Sequence, residues 1–121
     1  MDLKEQLGEI LEIKGVTSAL VVGQDGFVID GVSKTDMDLD FLGGIAASGI
    51  ASSKALADFL AKGEVTQTMI EYEEGPVILS PLGEGANEVV FVATLDSTAN
   101  LGRVRFQLKK SLPKLLEAIA Q

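Results

Sequence analysis

Between Leu39 and Leu60 the chain carries more apolar surface than one sheet can cover, and this limits its folds more than any other feature. Placed at about 100° per residue, Leu39, Phe41, Leu42, Ile45, Ala46, Gly49, Ile50, Ser53, Leu56, Ala57, Phe59 and Leu60 fill an arc of about 200°, well beyond the stripe of an ordinary surface helix. Asp40, Lys54, Asp58 and Lys62 occupy the narrow remaining side. The middle of the stretch is slim, because Gly43, Gly44, Ala46, Ala47, Ser48, Gly49, Ala51, Ser52 and Ser53 crowd it. Each glycine lowers helix stability by about 1 kcal/mol relative to alanine, a cost that close approach of another element would offset. Two readings fit: the small residues bring the helix close to its own sheet, or they admit a second copy of the chain.

The spacing predicts a long helix here, capped by Thr35 or Asp36, with Asp38 and Asp40 in its first turn, running to about Lys62 and stopped by Gly63. Before it, Asp2 to Ile13 reads as a short amphipathic helix ended by Gly15, with Leu3, Leu7, Ile10 and Leu11 on one side. Thr17 to Gly23 and Phe27 to Gly31 read as strands joined across Gln24-Asp25-Gly26, since Asp-Gly tolerates the positive φ of a tight hairpin. After the long helix, Glu64 to Tyr72 alternates as a strand, Glu73-Glu74-Gly75 turns, and Val77 to Leu82 returns. Val89 to Leu95 is an almost continuous apolar run, expected to be covered on both faces. From about Ala99 a last helix carries Leu101, Val104, Leu108 and Leu112, and Ser111-Leu112-Pro113 either kinks it or opens a second segment capped by Ser111. The order is α-β-β-α-β-β-β-α. With no linker-like stretch or internal repeat, residues 1–121 read as one α/β (α+β) domain.

Composition removes several chemistries. The 121 residues contain no Cys, His or Trp, which excludes a Ser-His-Asp triad, a cysteine nucleophile, a Cys/His zinc site and disulfides. The first residues lack the basic head and apolar run of a signal peptide, and the charge-free stretch from Phe41 to Ser53 is too short to span a bilayer, so a cytoplasmic protein without membrane insertion is expected. A net charge of -8 argues against nucleic acid and anionic lipid as partners. The charge is uneven: five basic residues and one acidic residue lie from Ala99 onward, against five basic and 17 acidic before it.

The short motifs have structural explanations. Asp36-Met37-Asp38-Leu39-Asp40 opens like a calcium loop, but Phe41 stands where a glycine is needed and Ala47 where a bidentate glutamate belongs, so capping explains the aspartates. Gly44 and Gly49 have phosphate-loop spacing, yet Ile50-Ala51 replaces the required Lys-Ser/Thr. Gly83-Glu84-Gly85-Ala86-Asn87-Glu88 lacks the third glycine of a dinucleotide fingerprint and reads as a turn. Ser111-Leu112-Pro113-Lys114 matches the Ser-x-x-Lys of some acyl-enzymes without their companion motifs. No cofactor, metal or catalytic set is expected.

Gly15-Val16 before a strand, the Asp25-Gly26 hairpin, the small-residue middle helix and Ala99-Asn100-Leu101-Gly102-Arg103-Val104-Arg105 opening the last helix together resemble the roadblock family over nearly the whole chain. The Asn-Leu-Gly-x-x-Arg opening is the most specific of these. The resemblance implies a single five-stranded antiparallel sheet with helices on both faces, in a profilin-like layering. It also implies a homodimer in which the middle helices pack antiparallel and the strand Glu64 to Tyr72 pairs with its copy. The expected contacts are Phe41, Ile45, Ser48, Gly49, Ser52, Leu56 and Phe59, with Val65, Gln67 and Met69 from the strand. Which edge of the helix meets the second subunit is open at this stage.

Family members include dynein light chains, scaffolding subunits and regulators of small Ras-like GTPases. A free-standing chain of this kind is most similar to the regulators, though almost no tail follows its last helix. The implied function is a non-enzymatic module that binds such a GTPase and modulates its nucleotide state, by activation or a related effect. The alternatives are a scaffold or light-chain-like subunit and, further off, a ligand-sensing domain. Arg103, Arg105 and Lys109 are the candidate partner contacts. An arginine offered to a GTPase site would stabilise charge on the transferring phosphate. The simpler expectation for Arg103 and Arg105 is pairing with this chain's own carboxylates.

Overall fold

The computed structural model describes residues 1–85 and 88–120. The elements follow the expected order: α1 (Leu3–Leu11), β1 (Val16–Gly23), β2 (Val28–Ser33), α2 (Leu39–Phe59), β3 (Thr68–Ile70), β4 (Val77–Leu82), β5 (Val89–Leu95) and α3 (Leu101–Ala120). The strands form one antiparallel sheet in the order β2-β1-β5-β4-β3. α1 and α3 cover one face, and α2 lies on the other.

The strand alternation divides the core between these faces. Ala19, Val21, Ile78, Phe91 and Ala93 point toward α1 and α3, where Leu7, Ile10, Val104, Leu108 and Leu115 meet them. Leu20, Val22, Leu79, Val90 and Val92 point toward Ala46 and Ile50 of α2. β5 is therefore apolar at almost every position because both of its faces are covered. Gly15 closes the joint between α1 and the entry to α3. Its φ is +94°, a Cβ there would overlap Ala99, and its carbonyl accepts from Asp96 N–H at 2.8 Å.

Several boundaries depart from the sequence reading. Asp2 is the cap of α1 rather than part of it: its Oδ1 accepts from Glu5 N–H at 2.8 Å while Glu5 reaches back to the Asp2 N–H. β2 begins at Val28 rather than Phe27, because Asp25 Oδ1 accepts from Phe27 N–H and holds that residue in the turn. The hairpin register shifts between Val21 and Val22, and the strand continues to Ser33. Asp38, not Thr35 or Asp36, caps α2 by accepting from Phe41 N–H at 3.0 Å. α2 ends at Phe59 instead of about Lys62. Ala61 takes the left-handed position (φ +53°), Lys62 N–H donates to Ala57 C=O and Ala61 N–H donates to Asp58 C=O, so the stop comes two residues before Gly63.

β3 is three residues long, not the nine from Glu64 to Tyr72, since only Thr68, Met69 and Ile70 find partners on β4. No second segment opens at Ser111: α3 continues as one helix through exposed Pro113, with Leu112 and Leu115 both reaching the core. The true cap of α3 is Asn100, whose Oδ1 accepts from Arg103 N–H at 3.0 Å. Part of the expected 83–88 turn, Ala86 and Asn87, lies outside the described residues; Gly83 and Gly85 both take positive φ.

Candidate functional site

α2 has two unlike sides. Toward the sheet it buries only Gly43, Ala46 and Ile50. A Cβ on Gly43 would stand 2.7 Å from Val28 Cγ2, and one on Gly49 would stand 3.2 Å from Leu79 Cδ1. Both glycines therefore serve close approach to the chain's own sheet. Gly44 differs: apart from helix backbone, no described atom lies within 4 Å of where its Cβ would be. Ser53 links α2 to the sheet edge, donating to Gly49 C=O at 3.1 Å and accepting from the Thr68 hydroxyl at 2.8 Å.

The opposite side of α2 is a continuous uncovered stripe. Phe41 is 69% exposed, Ile45 56%, Leu56 60% and Phe59 86%, with exposed Ser48 and Ser52 between them. Steps of three and four residues place all six on one line along the helix. Apolar side chains of this size standing together mark an interaction surface, whereas scattered ones would not.

The other candidates fall in several places. Val65 packs toward the α2-side core, while Met69 packs against the opposite core, under α1 and α3. Leu56, Val65, Gln67 and Thr68 line a shallow groove of about 400 Å³ between the C-terminal half of α2 and the chain leading into β3. Leu60, Ile70 and Tyr72, outside the expected contact set, are also exposed large hydrophobics. Ile70 and Tyr72 were legible as alternate positions of one strand, but only an unpaired edge leaves such residues uncovered. Arg103, Arg105 and Lys109 lie on α3, on the other face of the sheet. The expected pairing of Arg103 and Arg105 with carboxylates is not found: neither forms an ion pair among the described residues, whose salt bridges are Lys4 with Asp30 and Lys54 with Glu88. The Asp38 carboxylate is engaged as a cap, in keeping with the structural reading of the 36–40 aspartates.

The fold and this half-covered helix define a class. The Roadblock/LC7 domain profile matches residues 2–94, and the chain belongs to that family. Two uncharacterized proteins of Methanocaldococcus jannaschii are each 30% identical over 107 residues, which is 88% of this chain and 90% of theirs. Among solved structures, an MglB described with a tetrameric arrangement superposes with a TM-score of 0.87 at 26% identity, covering 98% of this chain and 88% of that one. The gliding protein MglB of Thermus thermophilus gives 0.86 at 25% identity over the same shares. A Roadblock/LC7 domain of Streptomyces avermitilis, at 16% identity and a TM-score of 0.81 over 99% of this chain and 96% of that one, shares the fold.

Proposed function

We propose that residues 1–121 form one roadblock-type domain that works as a homodimer, binds a small Ras-like GTPase in the cytoplasm and modulates its nucleotide state without catalytic groups of its own. The observation that carries this reading is the uncovered stripe of α2 in a chain of this family. The stripe is self-complementary. In an antiparallel pair centred near Ile50, Phe41 of one copy faces Phe59 of the other, Ile45 faces Leu56, and Ser48 faces Ser52. Bulky residues meet toward both ends and hydroxyls in the middle, and Gly44, one turn from Ser48 and level with Leu56 of the other copy, leaves that side chain room. Such an isologous arrangement is the commonest form of closed symmetry. It also brings two β3 edges side by side, so the short ladder of one chain continues into the next and neither edge stays open. No helix of the described residues is long and apolar enough to cross a membrane.

Light scattering after size-exclusion chromatography tests the first step: a mass near twice 12.7 kDa is expected at micromolar concentration. Nucleotide hydrolysis and exchange rates of small GTPases from the same organism test the second. A changed rate supports regulation. Binding without a rate change transfers the assignment to a scaffold, and a stable monomer removes the dimer on which both depend.

A further inference from the structure

On the sheet face opposite α2, a cleft of about 600 Å³ runs between the first half of α3 and the β4–β3 edge of the sheet. Arg105 and Lys109, one turn apart on α3, line one wall. Thr66 and Gln67 line the other, and Ser80 of β4 lies between them. No carboxylate is among the residues lining the cleft, although the chain as a whole carries a net charge of -8. The expected partner contacts therefore separate: Arg105 and Lys109 share this cleft, and Arg103 does not line it.

Two further features lack an explanation within the chain. Ser80 is 2% exposed and its Oγ has no hydrogen-bond partner among the described residues. A buried hydroxyl left unpaired destabilises the fold, and such groups are rare enough that each calls for a cause. Gly102 also lines the cleft, in the first turn of α3. Its nearest neighbour in place of a Cβ would be Asn100 Oδ1 at 3.5 Å, so no packing contact with the sheet requires glycine there. Glycine weakens a helix relative to alanine, and what its presence provides is room.

The geometry points to a binding site for a phosphate-class oxyanion. The Arg105 guanidinium offers a planar fork that matches two oxygens of a tetrahedral anion. Lys109 adds a compact positive charge one turn further along. The Ser80 hydroxyl and the Gln67 amide supply neutral donors, and Gly102 leaves the approach open to an ester substituent. Arg105, Lys109 and Ser80 lie away from the α2 stripe, but Thr66 and Gln67 also line the groove beside α2, so the cleft adjoins the proposed dimer seam at the β3 edge. The phosphate titration reads the cleft itself and does not depend on the GTPase reading.

The test is a titration of the full chain with inorganic phosphate, followed by amide NMR shifts and compared with sodium chloride at equal ionic strength. Saturable shifts centred on Ser80, Gly102 and Arg105 are expected, with affinity at least tenfold weaker in Arg105→Gln. Equal shifts in chloride, or an Arg105→Gln variant that binds phosphate as well as the parent, would overturn the site. Ser80→Ala adds a second readout. Removing the unpaired hydroxyl is expected to raise the melting temperature without phosphate and to weaken phosphate binding at the same time. Unchanged phosphate affinity in that variant also counts against the proposal. Glycerol phosphate distinguishes the sources: tighter binding than inorganic phosphate marks a phosphate ester as the occupant, and equal binding marks the free ion.

Discussion

α2 and α3 are nearly equal in length, 21 and 20 residues, and lie on opposite faces of one sheet. α3 is amphipathic in the ordinary way: Val104, Leu108 and Leu115 are buried, Leu101, Leu112 and Ile119 pack beside them, and the charged residues face outward. α2 buries Gly43, Ala46 and Ile50 against the sheet and leaves Phe41, Ile45, Leu56 and Phe59 in the open. A helix that turns those three toward its own core and keeps phenylalanine and leucine outside leaves an apolar face that no other described residue covers. The difference separates residues that hold this chain together from residues available to hold two chains together.

The largest effect expected is in α3. Leu108→Ala removes a fully buried side chain from the α1/α3 core and should cost about 3 kcal/mol of folding stability, read from the denaturant midpoint. Phe59→Ala, at an 86% exposed position, should shift the stability of a dilute monomer by no more than about 0.5 kcal/mol. If the two substitutions cost the same under conditions where the chain is monomeric, the contrast between the helices fails.

Next in size is the association itself. Leu56→Asp places a charge within the proposed helix pair, opposite Ile45 of the other copy, and should weaken the dimer by about 2 kcal/mol or more. The expected light-scattering mass falls toward 12.7 kDa while the circular dichroism of the folded chain is kept. Ser52→Arg should act the same way by holding the helices apart at their closest point. A dimer mass unchanged in both variants would move the interface away from α2.

Neighbouring glycines sharpen the contrast within one turn. Gly43→Ala forces a methyl against the stiff β-branched Val28 and should destabilise the chain by about 1 kcal/mol, despite the gain in helix propensity. Gly44→Ala meets nothing in its own chain and should stabilise a monomer by about 1 kcal/mol. Its effect on association should have the opposite sign, because in the proposed pair the methyl projects toward the second helix. Denaturant midpoints at low concentration and dissociation constants at high concentration separate the two effects.

These glycines also show where the sequence stops being informative. The breadth of the apolar arc is visible in the spacing of Leu39 through Leu60, and so is the need for more than one covering partner. Whether Gly43 or Gly44 touches the sheet depends on the rotation of α2, which Val28 and Leu79 set in three dimensions. The same reasoning accounts for β5, whose run of apolar residues announces two covered faces, and for β3, whose alternating residues promise nine positions but find ladder partners for three. A strand at an edge is as long as its neighbours allow. Asp36, Asp38 and Asp40 are equally good caps by type, and only the backbone decides for Asp38. The cleft beneath α3 lay beyond sequence reasoning for a related reason: Arg105 and Lys109 are visible as a basic pair, but an unpaired Ser80 hydroxyl is a fact of packing.

The smallest effect concerns how each helix is entered. α2 starts from the single cap at Asp38, whereas α3 follows an aspartate turn in which Asp96 Oδ1 accepts from the Thr98 hydroxyl at 2.5 Å and from Thr98 N–H at 2.9 Å. These bonds, the hydroxyl first, hold the Asp96 carboxyl below its ordinary value, with Lys34 and Lys14 adding a weaker pull in the same direction. A carboxyl depressed in the folded state contributes stability above its unfolded value, near 3.8, and loses that contribution as the pH falls through the folded one. The site is open to solvent, so the effect is slight. Thr98→Ala should lower stability at neutral pH, and its midpoint should converge with that of the parent as the solution is acidified below about pH 4. Because Asp96 N–H also donates to Gly15 C=O, this acid sensitivity belongs to the docking of α3. If Thr98→Ala shifts the dimer dissociation constant at neutral pH, the two faces of the sheet are coupled. If it shifts only the midpoint of unfolding, they act independently.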